Sequence, residues 1–147
     1  MYQRILVATD GSDLSNKAVN DAIALAAKLG AELIALKVVP RYPQSYFEGA
    51  IPLSTEDVAR VEQQWTDDGH AVVEAVKQAG AAQGVKVTSI IARSDIVSDA
   101  LIAAAKKHHA DLIVMASHGR KGVKRLLLGS ETQQVLTHSE IPVLVLR

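Results

Sequence analysis

The sequence predicts an α/β protein in which a doubly wound parallel sheet lies between helices. Short apolar runs alternate with amphipathic stretches of helical periodicity along the 147 residues, and most of the runs are rich in Val, Ile and Leu. Strands that are buried on both faces of a parallel sheet show this near-continuous apolarity, and crossover helices are needed to connect them. We therefore expect residues 1–147 to form one domain.

Five apolar runs are predicted to be the strands. Four of them are nearly continuous in apolarity, whereas the third, KVTSIIA, is more mixed. We expect that third strand to lie nearer an edge of the sheet, where one face needs less burial. The predicted strands span residues 4–9, 32–39, 86–92, 111–117 and 142–146.

Four helices are predicted between the strands, over residues 13–29, 55–82, 95–108 and 131–138. Apolar residues at helical spacing define a buried stripe on the first helix, and Gly30 follows it as a C-terminal stop. Ser54 is the predicted N-cap of the second helix, and we expect Gly69 to bend or interrupt that long helix. The third helix is expected to bury Ile96 and Leu101.

One long segment, residues 40–53, is predicted to be irregular. It contains three of the four prolines and three of the five aromatic residues of the chain, the latter being Tyr42, Tyr46 and Phe47. Irregular loops of this length are often functional. Two interpretations stay open: the segment closes over a ligand as a lid, or it packs over an edge of the sheet.

Composition and charge argue against several classes of function. Sixteen basic residues balance sixteen acidic ones, which disfavours a nucleic-acid-binding surface. The chain has no cysteine, hence no disulfide and no thiolate chemistry, and no apolar run approaches the ~20 residues of a membrane span. The N-terminus also lacks the apolar core of a signal peptide. We therefore expect a cytoplasmic protein that does not contact membranes.

Two strand ends carry residues that suit a ligand, since ligands of open α/β sheets bind outside the carboxyl ends of the strands. ATDGSD follows the first strand, and ASHGRKGVKRLLLGSET leads from the fourth strand into the fourth helix. Free amides and the helix dipole attract anions to a helix N-terminus, but Asp10 and Asp13 would repel a phosphate at the first helix. The second stretch has glycines, four basic residues and the hydroxyl of Ser130. We therefore predict that phosphate binds at the fourth helix.

Some of these residues have competing interpretations. Asp10 could accept hydrogen bonds from a base or a ribose, reach a divalent cation, or simply stabilise its turn. Ser130 and Gln133 have the spacing of a helix capping box, which is compatible with a phosphate on the same amides. His108 and His109 resemble a metal pair, but adjacent helical residues point about 100° apart and no cluster of acids accompanies them.

Several familiar nucleotide-binding and catalytic motifs are absent from the sequence. It contains no P-loop, no G-x-G-x-x-G after the first strand and no G-x-S-x-G elbow. His118 is a candidate acid or base, but no third group that would orient it is apparent. No catalytic residue and no metal ligand is therefore assigned.

Over its whole length the chain resembles the universal stress protein family, from RILVATDGS through ADLIVMASHG to LLLGSETQQVLTHSEIPVLVLR. The nucleotide-binding branch of that family carries the pattern G-x2-G-x9-G-[ST]. Gly119, a nine-residue spacer, Gly129 and Ser130 match this pattern, whereas Ala116 stands at its first glycine. The resemblance implies a Rossmann-like fold, with a five-stranded parallel sheet of order 3-2-1-4-5 and helices on both faces.

The same resemblance implies a binding site for ATP, with Mg²⁺ as a further candidate ligand. Asp10, with the backbone of Ala8 and Thr9, would contact the adenosine end, and Val38 would line the adenine. Glu131 departs from the family, whose members often have a small or apolar residue there, and it could face solvent or help to hold Mg²⁺. Met115 and Glu131 are also assigned to the site. The ribose and phosphates would be surrounded by Ala116, Ser117, His118, Gly119, Gly129, Ser130 and Thr132.

The resemblance also implies a homodimer through the last strand, residues 142–146. That strand is an apolar edge without the charges that normally blunt sheet edges, and pairing with a second copy would cover it. The leading hypothesis is a cytoplasmic, ATP-binding, homodimeric regulator of the stress response that an unidentified protein partner recognises. The alternatives are a dimeric interaction module of the same fold without nucleotide, and a slow ATPase or self-phosphorylating protein.

Overall fold

The computed structural model describes residues 1–43, 53–119 and 128–147, in which strands and helices alternate. Every predicted element is present in these ranges, and each end lies within two residues of its predicted position. Among the helices of the described ranges, none combines the length and the apolarity that a membrane span requires. The strands are β1 (Arg4–Ala8), β2 (Glu32–Val39), β3 (Val87–Arg93), β4 (Leu112–Ala116) and β5 (Val143–Leu146), and the helices are α1 (Asp13–Leu29), α2 (Thr55–Ala82), α3 (Val97–Lys107) and α4 (Ser130–His138).

The five strands form one parallel sheet in the order β3-β2-β1-β4-β5. The predicted fold class is therefore confirmed, as is the edge position of the more mixed strand β3. From β1, the strands β2 and β3 are added on one side of the sheet, whereas β4 and β5 are added on the other side. The strand order therefore reverses between β1 and β4. Such a switch leaves a crevice at the carboxyl ends of the two strands, where ligands of this fold class bind.

Consecutive residues of each central strand face opposite layers of the protein. On β1, Ile5 and Val7 pack in the layer that contains α1 and α2, whereas Leu6 packs in the layer that contains α3 and α4. All three side chains are fully buried. A strand that is covered on both faces needs apolar residues at every position, which explains the continuous apolar runs of the sequence.

The N-terminus of α3 corrects one expectation. Ile96, predicted to be buried, is 55% exposed, whereas Leu101 is fully buried as predicted. The helix begins only at Val97, and Ile96 precedes it as an N-cap residue in the extended conformation. Its side chain therefore leaves the buried stripe that the helical periodicity of the sequence had assigned to it.

The glycines of α2 allow the helix to pack closely on the sheet. The expected interruption at Gly69 is not present, because α2 continues from Thr55 to Ala82. A Cβ atom at Gly69 would lie 3.0 Å from Cδ1 of Ile91 and 3.1 Å from Cγ1 of Val39. Gly69 is therefore explained by the close approach of α2 to β2 and β3.

Substitution of Gly80, near the C-terminal end of α2, tests this close packing. A Cβ atom at Gly80 would overlap with Cγ2 of Val87 on β3. Gly80→Val is expected to lower the free energy of unfolding by about 1–3 kcal/mol, because the helix must move away from the sheet. Urea unfolding followed by circular dichroism measures the change. Lys77→Val, at an exposed position of the same helix, is the control and is expected to change that free energy by about 0.5 kcal/mol or less. Equal stability of the two variants would contradict the packing of Gly80 on Val87.

Candidate functional site

A cavity of about 380 Å³ opens at the carboxyl ends of β1, β2 and β4, in the layer that contains α3 and α4. Small-molecule sites in proteins commonly have volumes of ~300–1,000 Å³, so the space suits a ligand of nucleotide size. The structure brings eleven of the thirteen residues assigned from the sequence to the wall of this cavity. They are Ala8, Thr9, Asp10, Val38, Met115, Ala116, His118, Gly119, Gly129, Ser130 and Glu131.

The other two assigned residues, Ser117 and Thr132, lie behind the wall of the cavity. Both are buried, at 5% and 2% exposure. The Ser117 amide donates to the Leu146 carbonyl on β5 at 2.7 Å. The Thr132 hydroxyl donates to the carbonyls of Ala116 and Ser117, at 3.0 and 3.2 Å. These contacts attach the end of β4 to β5 and α4, so the two residues support the site from behind.

The turn after β1 is closed by its own polar side chains. The Ser15 hydroxyl donates to Oγ1 of Thr9 at 2.9 Å and accepts from the Asp10 amide at 3.0 Å. Oδ1 of Asp10 accepts from the Ser12 amide at 2.9 Å, and Oγ of Ser12 caps α1 by accepting from the Ser15 amide. With Asp13 in the first turn, the N-terminus of α1 already has protein acceptors and negative charge.

The N-terminus of α4, which also borders the cavity, begins differently. Its N-cap is Gly129, and no side chain of the described residues caps it. The predicted capping box is wrong: Ser130 is already inside the helix and its hydroxyl donates to Oε2 of Glu131 at 3.1 Å, while Nε2 of Gln133 donates to the Leu128 carbonyl. The cap position falls on Gly129 because its backbone is extended and its carbonyl accepts the first helical hydrogen bond, from the Gln133 amide at 3.0 Å; the Gly129 amide itself donates to the Ser117 carbonyl at 2.7 Å. The first-turn amides of α4 therefore have no side-chain acceptor within the described ranges.

The two glycines that match the family pattern are required for different reasons. A Cβ atom at Gly129 would lie 3.2 Å from Cα of His118 and 3.3 Å from the Ser117 carbonyl oxygen, so this glycine lets α4 start directly against the end of β4. A Cβ atom at Gly119 would lie 2.7 Å from Oδ2 of Asp10. Gly119 therefore allows the carboxylate of Asp10 to lie directly against the end of β4.

The histidines singled out in the sequence fall in two places. His118 lines the cavity, and its Nδ1 lies 3.3 Å from the Ser117 hydroxyl. His108 and His109 follow α3 at the amino end of β4, remote from the cavity, and the His108 carbonyl accepts from Nε of Arg4. Within the described ranges no group of three or more His, Cys, Asp or Glu residues could hold a metal ion.

Sequence reasoning missed five residues that line the cavity. Leu36 could have been predicted from the sequence, because it lies two positions before Val38 on the same strand and therefore faces the same layer. Val97 and Leu101 are four residues apart on α3, but only tertiary packing brings that helix to the cavity. Nothing in the sequence pattern indicated the other two. The five residues are Ser15, Leu36, Lys37, Val97 and Leu101.

The beginning of segment 40–53 is attached to α2. The ring of Tyr42 stacks on Trp65, with ring centroids 6.2 Å apart and planes inclined by 20°. The Tyr42 amide donates to Oε2 of Glu62, which also pairs with Arg93 at 3.2 Å. The proposed lid residues Tyr46 and Phe47 lie outside the described residues, as do the four basic residues Arg120, Lys121, Lys124 and Arg125.

Comparison with known proteins gives one consistent result. The model of the universal stress protein family matches residues 1–147. The universal stress protein YxiE of Bacillus subtilis is 32% identical over 149 residues, which cover 100% of both chains. The solved structure of MJ0577 from Methanocaldococcus jannaschii is similar with a TM-score of 0.84 at 29% identity, covering 99% of this chain and 96% of that one. A universal stress protein solved in complex with cAMP has a TM-score of 0.72 at 29% identity, with 99% and 97% covered. The chain therefore belongs to the universal stress protein family.

Proposed function

We propose that this protein binds an adenine nucleotide in the cavity at the carboxyl ends of β1, β2 and β4. The proposal rests on the two different parts of this cavity. One part has an apolar wall. The other part has the N-terminus of α4, which no described side chain caps, and two glycines, Gly119 and Gly129, that permit close packing. A nucleotide has the matching parts, a flat apolar base and an anionic tail. The complex of a family relative with cAMP adds support.

The apolar part of the cavity suits the base. Leu36, Val38 and Met115 come from the sheet, and Val97 and Leu101 come from α3. Side chains of this kind can bury the faces of an adenine ring, a contact that gains free energy through the hydrophobic effect. Asp10 also lines the cavity and carries acceptor oxygens that suit ribose hydroxyls.

The phosphates would lie at the N-terminus of α4, beside Gly119, Gly129 and Ser130. An anion there meets backbone amides and the positive end of the helix dipole. The N-terminus of α1 offers less, because Ser12 already caps it, whereas both helices carry an acid in the first turn. We propose ATP, the ligand that the family pattern implies, with Mg²⁺ carried by its phosphates.

We further propose that the protein acts as a homodimeric regulator of the stress response in the cytoplasm, recognised by a protein partner when nucleotide is bound. β5 is an edge strand of the sheet, and Leu144 on it is 40% exposed. Leu136 on the neighbouring helix α4 is 43% exposed. An uncovered apolar strand edge of this kind favours pairing with a second copy.

ATP is expected to stabilise the folded protein. At about 100 times its dissociation constant it should raise the free energy of unfolding by about 2.7 kcal/mol, because only the folded state forms the cavity. Thermal unfolding with and without ATP measures the effect, and inorganic triphosphate serves as the control without a base. No shift with ATP or AMP at millimolar concentration would contradict the proposal and favour the interaction module without nucleotide.

Gly119→Val is expected to weaken ATP binding. Its side chain would displace the carboxylate of Asp10, because a Cβ atom alone would already lie 2.7 Å from Oδ2 of Asp10, and both residues line the cavity. The expected loss is roughly tenfold or more in affinity, or at least about 1.4 kcal/mol, by isothermal titration calorimetry. Gln134→Val, exposed on α4 and outside the cavity wall, is the control. If both variants bind ATP as the unaltered protein does, the nucleotide contacts neither Gly119 nor Asp10.

Leu144→Lys is expected to produce a monomer. A charge at the centre of the edge strand would be buried without a partner in a dimer that pairs through β5. Size-exclusion chromatography with light scattering gives the mass directly. Leu29→Lys, which places the same charge at a position of 41% exposure at the end of α1, should remain a dimer. A dimer that persists in Leu144→Lys would place the interface elsewhere.

A further inference from the structure

The cavity contains an acid at the place where the proposed phosphates would lie. Ser130 and Glu131 both line the cavity, and they are the first two residues of α4. The Ser130 hydroxyl donates its hydrogen bond to Oε2 of Glu131 at 3.1 Å. A hydroxyl has a single hydrogen to donate, so the side-chain donor that Ser130 could offer to a phosphate is engaged by a carboxylate of the protein.

We propose that Glu131 is a specificity-determining residue that lowers the affinity of the cavity for nucleoside triphosphates relative to monophosphates. The inference rests on the proposed function, because it takes the phosphates to lie at the N-terminus of α4. Glu131 would thus determine how strongly the cavity distinguishes nucleotides by their number of phosphates.

The first part of the effect is charge. The adenosine part is common to ATP and AMP, whereas each additional phosphate brings more negative charge to the end of the cavity that holds Glu131. Repulsion between like charges therefore increases from AMP to ATP. Of the ion pairs formed between described residues, none includes Glu131.

The second part is competition for the same groups of the protein. A carboxylate in the first turn of a helix already interacts favourably with the positive end of the dipole. Glu131 therefore acts as an anion supplied by the protein, and a phosphate must displace it from Ser130 to accept the hydroxyl hydrogen.

Calorimetric titration of ATP and AMP in the absence of divalent cations tests the proposal. Glu131→Gln keeps the shape and removes the charge, and Glu140→Gln, exposed and outside the cavity wall, is the matched control. Glu131→Gln is expected to lower the ratio of the ATP to the AMP dissociation constant about fivefold, or roughly 1 kcal/mol, while Glu140→Gln leaves the ratio unchanged. The difference should shrink at about 1 M salt, where the Debye length is about 3 Å.

A double-mutant cycle tests the engagement of the hydroxyl. Ser130→Ala should cost about twofold or less in ATP affinity while Glu131 is present, and about fivefold or more in a Glu131→Ala background, where the hydroxyl is released. Equal costs in the two backgrounds would show that Glu131 does not withhold the hydroxyl from the ligand, and would overturn that part of the proposal.

The outcomes separate this inference from the proposed function. If the unaltered protein and both single variants bind neither ATP nor AMP, the proposed function fails and this inference with it. If both nucleotides bind and Glu131→Gln leaves their ratio unchanged, only this inference fails. Weaker binding of Mg·ATP by Glu131→Gln would also overturn it, because the carboxylate would then assist the triphosphate through the metal.

Discussion

The arrangement of the site depends on one hydrogen bond, from the Gly129 amide to the Ser117 carbonyl, at 2.7 Å. It sets the beginning of α4 directly against the end of β4, at a separation where a Cβ atom on Gly129 would be tightly packed, 3.2 Å from Cα of His118. The Thr132 hydroxyl, buried beneath, reinforces the same junction through the carbonyls of Ala116 and Ser117. As a result the first residues of α4 border a cavity at the switch in strand order, with their amides uncapped by side chains of the described residues.

Two helices begin at the same end of the sheet, and their different N-termini give the cavity its polarity. α1 is satisfied from within, because Ser12 caps it and Asp13 complements its dipole. α4 relies on the backbone of Gly129 for its cap position and keeps its first-turn donors for a ligand or for Glu131. The anionic tail of a ligand is thereby directed away from the turn after β1, and the neutral part of the ligand is directed toward it. Local helix capping thus determines the orientation in which a nucleotide is proposed to bind.

Much of the fold could be predicted from the sequence because strands covered on both faces must be apolar at every position. The strand order came from the family resemblance and not from periodicity. Most of the cavity wall could also be predicted, because the family resemblance assigned residues at the ends of β1, β2 and β4 and at the start of α4. The differences share a cause, which is that tertiary contacts decide them. Gly129 contacts Ser117 at the end of β4, and the cap position falls on Gly129 instead of on Ser130. The late start of α3 exposes Ile96, and the packing of that helix brings Leu101 to the cavity. Ser117 at the end of β4 and Thr132 on α4 lie behind the wall of the cavity, because spacing along the chain does not show which way a side chain points.

Backbone amides at the junction of β4 and α4 are proposed to bind the phosphates. Amide chemical shifts in a titration of the ¹⁵N-labelled protein with ATP report on each of these amides separately. We expect the largest changes in chemical shift at the amides of Gly119 and residues 129–132. The amide chemical shifts of Ser12 and Asp13, at the start of α1, should change little. Largest shifts at the start of α1, or no shifts at the β4–α4 junction with saturating nucleotide, would contradict this proposal.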